Sequence, residues 1–197
     1  MEPGELLSIL SVAEKLKCNT RHSDTSSGRR ESVAEHSWRV SLMAMLLENE
    51  FPDTDINKVI KMCLIHDLGE AFTGDIAAFY KTEADTQKED TLYREWVSHF
   101  PDYQKKQFQE LLNEMEEQLT AEAKLYKALD KMEAVIQHNE ADISSWLPLE
   151  YDLQLNYGNK EVQFSQYLRQ LKEFVNQQTR QKISKEGGGR LQTNLTD

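Results

Sequence analysis

Cysteine is scarce in this chain: Cys18 and Cys63 are the only two in 197 residues, too few for a disulfide framework, so a reducing, cytoplasmic setting is expected. With 4 prolines and 8 glycines, there is too little turn punctuation for a many-stranded β protein. Long apolar runs are missing too. The best candidate, Val59–Ile65, is interrupted by Lys61 and falls well short of the roughly 18 residues a membrane-spanning helix needs. The opening stretch MEPGELLSIL is acidic and has no basic flank, so no secretory signal is expected there. Positive charge is outnumbered, with 23 Lys+Arg against 34 Asp+Glu for a net −11. That balance argues against nonspecific binding to duplex nucleic acid, which needs a basic face. What is present, 39% hydrophobic and 29% charged residues, suffices for one core at a length typical of one domain.

The periodicity is helical almost throughout. Leu6, Leu7, Leu10, Ala13 and Leu16 recur at three- and four-residue spacing and predict a first amphipathic helix. Residues 19–31 carry no aliphatic side chain and read as a loop. Ser32 opens S-x-x-E with Glu35, the capping-box pattern, for a helix from about residue 33 to 49. A second helix is expected from Ile56 to Leu68, with Gly69 as its C′ residue. Residues 82–119 are polar helical sequence broken at Pro101, and Thr120 is placed to cap a long helix through Leu125, Leu129, Met132 and Ile136. The last pattern includes Phe164, Leu168, Leu171, Phe174 and Val175. The expectation is an all-α single domain over residues 1–183, with a flexible, glycine-rich tail over 184–197.

Four residues on these helices carry chemistry. His36 lies one turn into the capped helix, His66 and Asp67 end the apolar string CLIHD, and Asp130 sits in the apolar stripe YKALDKMEA. Imidazole and carboxylate among Leu, Ile and Cys are costly unless partnered. A divalent cation offsets the cost by bonding both ligand types, and two His with two Asp suit manganese, cobalt, iron, zinc or magnesium. A thiolate zinc site is excluded, because neither cysteine has a ligand partner at short spacing.

The pattern of H, then HD thirty residues later, then D on a later helix, resembles the HD-domain family of metal-dependent phosphohydrolases from about Arg21 to Asn139. The resemblance implies one divalent metal held by His36, His66, Asp67 and Asp130 in a helical bundle. The string HDLGEAFTGDI looks most like the 5′-deoxynucleotidase-type members. That match implies Glu70 and Asp75 as catalytic carboxylates and Arg21 as the ligand of a substrate phosphate. Those nucleotidases carry Trp after that Arg, whereas this chain has His22 in the substrate-binding position. A small nucleotide substrate, a homodimer and attack by metal-bound water are further implications. Spacing leaves open which carboxylate is base and which is acid.

Physical chemistry supports these roles. Residues 15–30 hold Lys15, Lys17, Arg21, Arg29 and Arg30 against Asp24, a local +4 in an acidic chain, suited to gripping a phosphate. Trp38 is expected to pack in the core or against the ligand helix. His99 has no ligand pattern, and His138 lies about 12 Å along an ideal helix from Asp130, so one metal is expected rather than two. Two rival readings remain. An alarmone hydrolase of the same superfamily is implied to need HDxxED, but Glu70 is followed by Ala71. The other is a non-catalytic helical module that a metal merely stabilises.

Overall fold

Ser32 forms the capping box its sequence announces: Glu35 N–H donates to Ser32 Oγ at 3.2 Å, and Ser32 N–H donates to Glu35 Oε2 at 2.9 Å. The computed structural model describes residues 1–186, all helical apart from one small hairpin and its connections. The order is α1 (Pro3–Ala13), β1 (Thr20–Asp24), β2 (Arg30–Ser32), α2 (Val33–Leu46), α3 (Ile56–Ile65), α4 (Glu70–Thr73), α5 (Glu83–Ser98), α6 (Asp102–Glu117), α7 (Ala121–Glu140), α8 (Glu150–Asn156) and α9 (Gln166–Glu186). Short 3₁₀ turns follow α1, α2 and α7. The all-α expectation holds.

Several boundaries differ from the sequence reading, each for a local reason. Residues expected to be loop form the β1–β2 hairpin. Thr25 N–H donates to Arg29 O at 2.7 Å, and Gly28 at φ 82° supplies the left-handed turn. Helix α3 ends at Ile65, and Gly69 has right-handed backbone (φ −60°, ψ −30°) as the N-cap of α4. It is therefore not a left-handed C′ residue. Helix α9 continues to Glu186, three residues past its expected end, and the rest of the expected tail, 187–197, lies outside the described residues. Helix α8 carries no periodicity long enough to announce it.

The chain divides into two compact units. The first comprises residues 1–22 and 30–127. In it α2 packs on α3, burying Val33, Val40 and Ala44 with Val59, Met62 and Cys63. Arg94 joins α5 to α6 through Asn113 at 2.7 Å and Glu116 at 2.8 Å. Tyr93 Oη donates to Ile65 O at 2.9 Å, satisfying a carbonyl at the end of α3. Leu6, Leu7 and Leu10 of α1 are exposed, so this helix is not held by a buried stripe.

The second unit comprises residues 23–29 and the chain from Ala128 onward. Trp146, 1% exposed, anchors it, its Nε1–H donating to His138 O at 3.1 Å. His138 places Nδ1 2.8 Å from Ser23 Oγ and Nε2 2.9 Å from Glu150 Oε1. Thr179 of α9 donates to Asn139 Oδ1 at 3.0 Å.

Core and surface positions on α3 separate cleanly in a denaturation experiment. Met62 is fully buried, so Met62→Ala is expected to cost about 2–5 kcal/mol. Leu64→Ala, half exposed on the same helix, is expected to cost less than about 0.5 kcal/mol. Urea midpoints at constant m-value measure both.

Candidate metal centre

His36 is fully buried on α2, one turn past the capping box, and His66 is the C-cap of α3, with Asp67 next in the chain. The fold brings them together. His66 Nε2 lies 3.2 Å and His36 Nε2 3.9 Å from the same atom, Asp67 Oδ2, and the two rings stand 5.3 Å apart. His66 Nδ1 is 2.8 Å from Cys63 O. A carbonyl only accepts, so Nδ1 carries the hydrogen and the neutral ring presents its lone pair at Nε2. A lone pair and a carboxylate oxygen thus face each other, with a second imidazole nitrogen beside them. This donor set fits a divalent cation, and all three ligand atoms lie within 4.8 Å of one another. Asp130, the fourth expected ligand, lies half-buried on α7 in the second unit.

Arg21 reaches this group from β1. Its Nη1 is 3.4 Å from Asp67 Oδ2 and its Nε is 3.3 Å from Glu31 Oε2, with Glu31 almost wholly buried on β2. His22 packs edge-on against Phe79, centroids 5.3 Å apart, and its carbonyl accepts from Arg30 Nη1. Lys15 stands over the Phe72 ring at 5.6 Å.

Glu70 is 4% exposed at the start of α4. Burial pushes its carboxyl up to about 10, with repulsion from Asp67, Asp75 and Glu89 adding to the rise and Arg21 opposing it. Asp75 follows Gly74, whose φ of 76° bends the chain. Burial raises Asp75 as well, Arg21 opposing and Asp67 adding to the shift. No helix follows Asp75 directly, so it is not an N-cap.

Four residues around this group escaped the sequence reading. Asn19 Nδ2 donates to Glu70 O at 2.6 Å and fixes the backbone under the carboxylate. Glu31 holds Arg21. Glu89 Oε2 lies 2.7 Å from Lys81 Nζ and 3.5 Å from Thr73 Oγ1. The one sequence signal was Gly69: a Cβ there would stand 2.8 Å from Glu89 Cγ, so glycine makes room for α5. Trp38 is a correction in the other direction. It is 62% exposed rather than packed in the core. His99 is exposed at the end of α5, its ring engaged with Glu95 O at 2.9 Å, and belongs to no ligand group among the described residues.

Comparison with known proteins gives the family. A family model for the HD domain matches residues 13–172, and the chain belongs to the HD-domain family. The 5′-deoxynucleotidase HDDC2 of Homo sapiens is 32% identical over 114 residues, 57% of this chain and 55% of that protein. The protein of the same name from Dictyostelium discoideum is 32% identical over 144 residues, 68% of this chain and 76% of that one. Against several of these curated relatives the chain spans about half their length. A predicted metal-dependent phosphohydrolase from Magnetospirillum magnetotacticum superposes with a TM-score of 0.75 at 25% identity, covering 91% of this chain and 93% of that one. HD domains of this kind are metal-dependent, and His36, His66 and Asp67 form a group able to hold the ion.

The raised Glu70 carboxyl makes a pH prediction. Its folded value lies far above the unfolded one, so the stability it contributes is full below the unfolded value near 4.5 and is lost as pH rises toward about 10. In chelator-treated protein, Glu70→Gln is therefore expected to be more stable than the parent at about pH 8, the gap narrowing toward about pH 5. Urea midpoints at the two pH values check the sign.

Proposed function

We propose that this chain is a metal-dependent phosphomonoesterase that removes the 5′-phosphate of (deoxy)nucleoside monophosphates. The observation that carries the reading is the convergence of two imidazole nitrogens on Asp67 Oδ2, with Arg21, Glu70 and Asp75 around them. In the proposed site His36, His66, Asp67 and, from the family pattern, Asp130 hold one divalent ion of manganese, cobalt, iron, zinc or magnesium. Bound there, the ion supplies an acidified water and screens charge on the phosphoryl group. The chain's own residues do the rest. Arg21, oriented by Glu31, offers its guanidinium to the phosphate oxygens. Of Glu70 and Asp75, one accepts the proton of the attacking water and the other delivers one to the departing 5′-oxygen. The phosphorus–oxygen ester bond breaks, and nucleoside and orthophosphate leave. Glu70 suits a proton-holding role, since burial favours its neutral form. His22, held edge-on by Phe79, takes the place where similar nucleotidases carry Trp, so it is the proposed sugar-facing residue.

The names of the deoxynucleotidase relatives support the substrate class. A cytoplasmic setting is proposed from the two cysteines, Cys18 and Cys63, neither of which forms a disulfide. Among the described residues no helix is long and apolar enough to cross a membrane. A homodimer is proposed as well. Trp38 and Met45, two turns apart on α2, and neighbouring Leu46 are each more than half exposed and give an apolar stripe for a second copy.

A panel of nucleoside monophosphates, assayed for phosphate release with manganese, cobalt and magnesium side by side, tests the activity. Glu70→Ala is expected to lower kcat by at least about 100-fold while metal content stays near one equivalent. Arg21→Ala is expected chiefly to raise KM. Silence across the panel with metal bound overturns the reading in favour of a metal-stabilised module. Light scattering tests the dimer: the parent chain is expected at twice the mass of Trp38→Glu.

A further inference from the structure

Lys172 on α9 is 3% exposed, and its Nζ donates to Gln154 O at 3.2 Å. One turn on, Asn176 is 6% exposed and donates from Nδ2 to Leu155 O at 3.2 Å. Both thereby reach carbonyls at the C-terminal end of α8, where a positive charge is favoured. That capping role accounts for one of the three N–H donors of the ammonium. No carboxylate among the described residues pairs with Lys172, and burial alone pulls its amine down, to about 8. Asn176 Oδ1 is buried with no hydrogen-bond donor among the described residues.

Both side chains line a cavity of about 490 Å³ in the second unit. The charged groups that share it are Asp152 on α8 and Arg169, Glu173 and Arg180 on α9. Glu173 is taken by Arg180 at 3.1 Å, and Arg169 Nη1 donates to Gln163 O at 2.5 Å. Three cations against two carboxylates leave the lining at 3 − 2 = +1, although the whole chain carries −11. A buried ammonium without a counter-ion is a costly element, and an entering oxyanion relieves it. A hydroxyl on that anion also supplies the donor Asn176 lacks.

We propose that this cavity binds a phosphate-class anion, free hydrogen phosphate or a phosphate ester, with Lys172 as the buried counter-charge and Asn176 accepting from a ligand hydroxyl. The site does not depend on the hydrolase reading. Binding requires the protonated amine, so affinity is linked to pH.

The test uses the full chain labelled with ¹³C at the lysine ε-carbon, with the Lys172 signal assigned by its loss in Lys172→Met. Inorganic phosphate is expected to move that signal saturably and raise its titration midpoint, while surface lysines respond weakly and linearly. Apparent affinity is expected to fall about tenfold between about pH 7 and about pH 9 as the amine deprotonates, although phosphate itself gains charge over that range. A non-hydrolysable nucleoside phosphonate, titrated in parallel, distinguishes a site for esters from one for free phosphate. A Lys172 signal that ignores both ligands, responds without saturation, or binds more tightly at the higher pH overturns the proposal. The signal belongs to Lys172 itself, so an inactive Glu70→Ala chain gives the same answer.

Discussion

Two imidazole nitrogens and a guanidinium aim at one carboxylate oxygen, Asp67 Oδ2, and much of the first unit is arranged so that they can. The constraint is one of lone pairs. With Cys63 O accepting from Nδ1, the neutral His66 ring has only an acceptor to show Asp67, and acceptors do not bond to each other. A cation held between them would resolve this. The surrounding fold ties down the end of α3: Tyr93 Oη donates to the Ile65 carbonyl, which also accepts from Leu68 N–H, and Gly69 lets α5 approach closely enough for this. Helix ending, glycine and tyrosine are one device for setting the direction of the His66-Asp67 pair.

The hairpin adds a second layer. Arg21 sits on one strand and Glu31 on the other, so strand pairing itself sets the guanidinium's orientation. Glu31 is nearly wholly buried, and a buried carboxylate is tolerable only beside a partner such as this one. The +4 cluster of residues 15–30 is therefore not a uniformly solvated basic loop. Arg21 is committed inward to two carboxylates, Arg30 is turned onto the His22 carbonyl, and Lys15 lies over Phe72.

How much of this was legible follows from range in the chain. The capping box at Ser32, the break at Pro101 and the cap at Thr120 are local chemistry, and each stands where its residues said. The HD pair and His36 were legible because ionisable groups in apolar stripes demand a partner. The hairpin was not, since its strands are short, polar and paired through a five-residue turn rather than by alternating apolar positions. Gly69 was read through its flexibility, when what it provides is space against a helix twenty residues away. Trp38 is expected in the core or against the ligand helix, yet the opposite face of α2 is the buried one. Asn19, Glu31, Lys81 and Glu89 have no motif of their own. Their roles exist only once distant segments meet.

Charge bookkeeping joins these features. Asp67, Glu70, Asp75, Glu89 and Glu31 bring five carboxylates together, and Arg21 and Lys81 return two positive charges, so the fully ionised group stands at 2 − 5 = −3. Burial makes that state untenable, and the rise of Glu70 is the consequence: it keeps its proton and brings the group to −2. A divalent cation held by His36, His66 and Asp67 would neutralise what remains. An ion held there would screen the carboxylate repulsion, but the burial that chiefly raises Glu70 would remain, in keeping with a proton-holding carboxyl. Lys81 works in the same direction. Its burial alone would lower the amine, but the Glu89 contact, with Asp67 adding to it, outweighs that and keeps the amine charged.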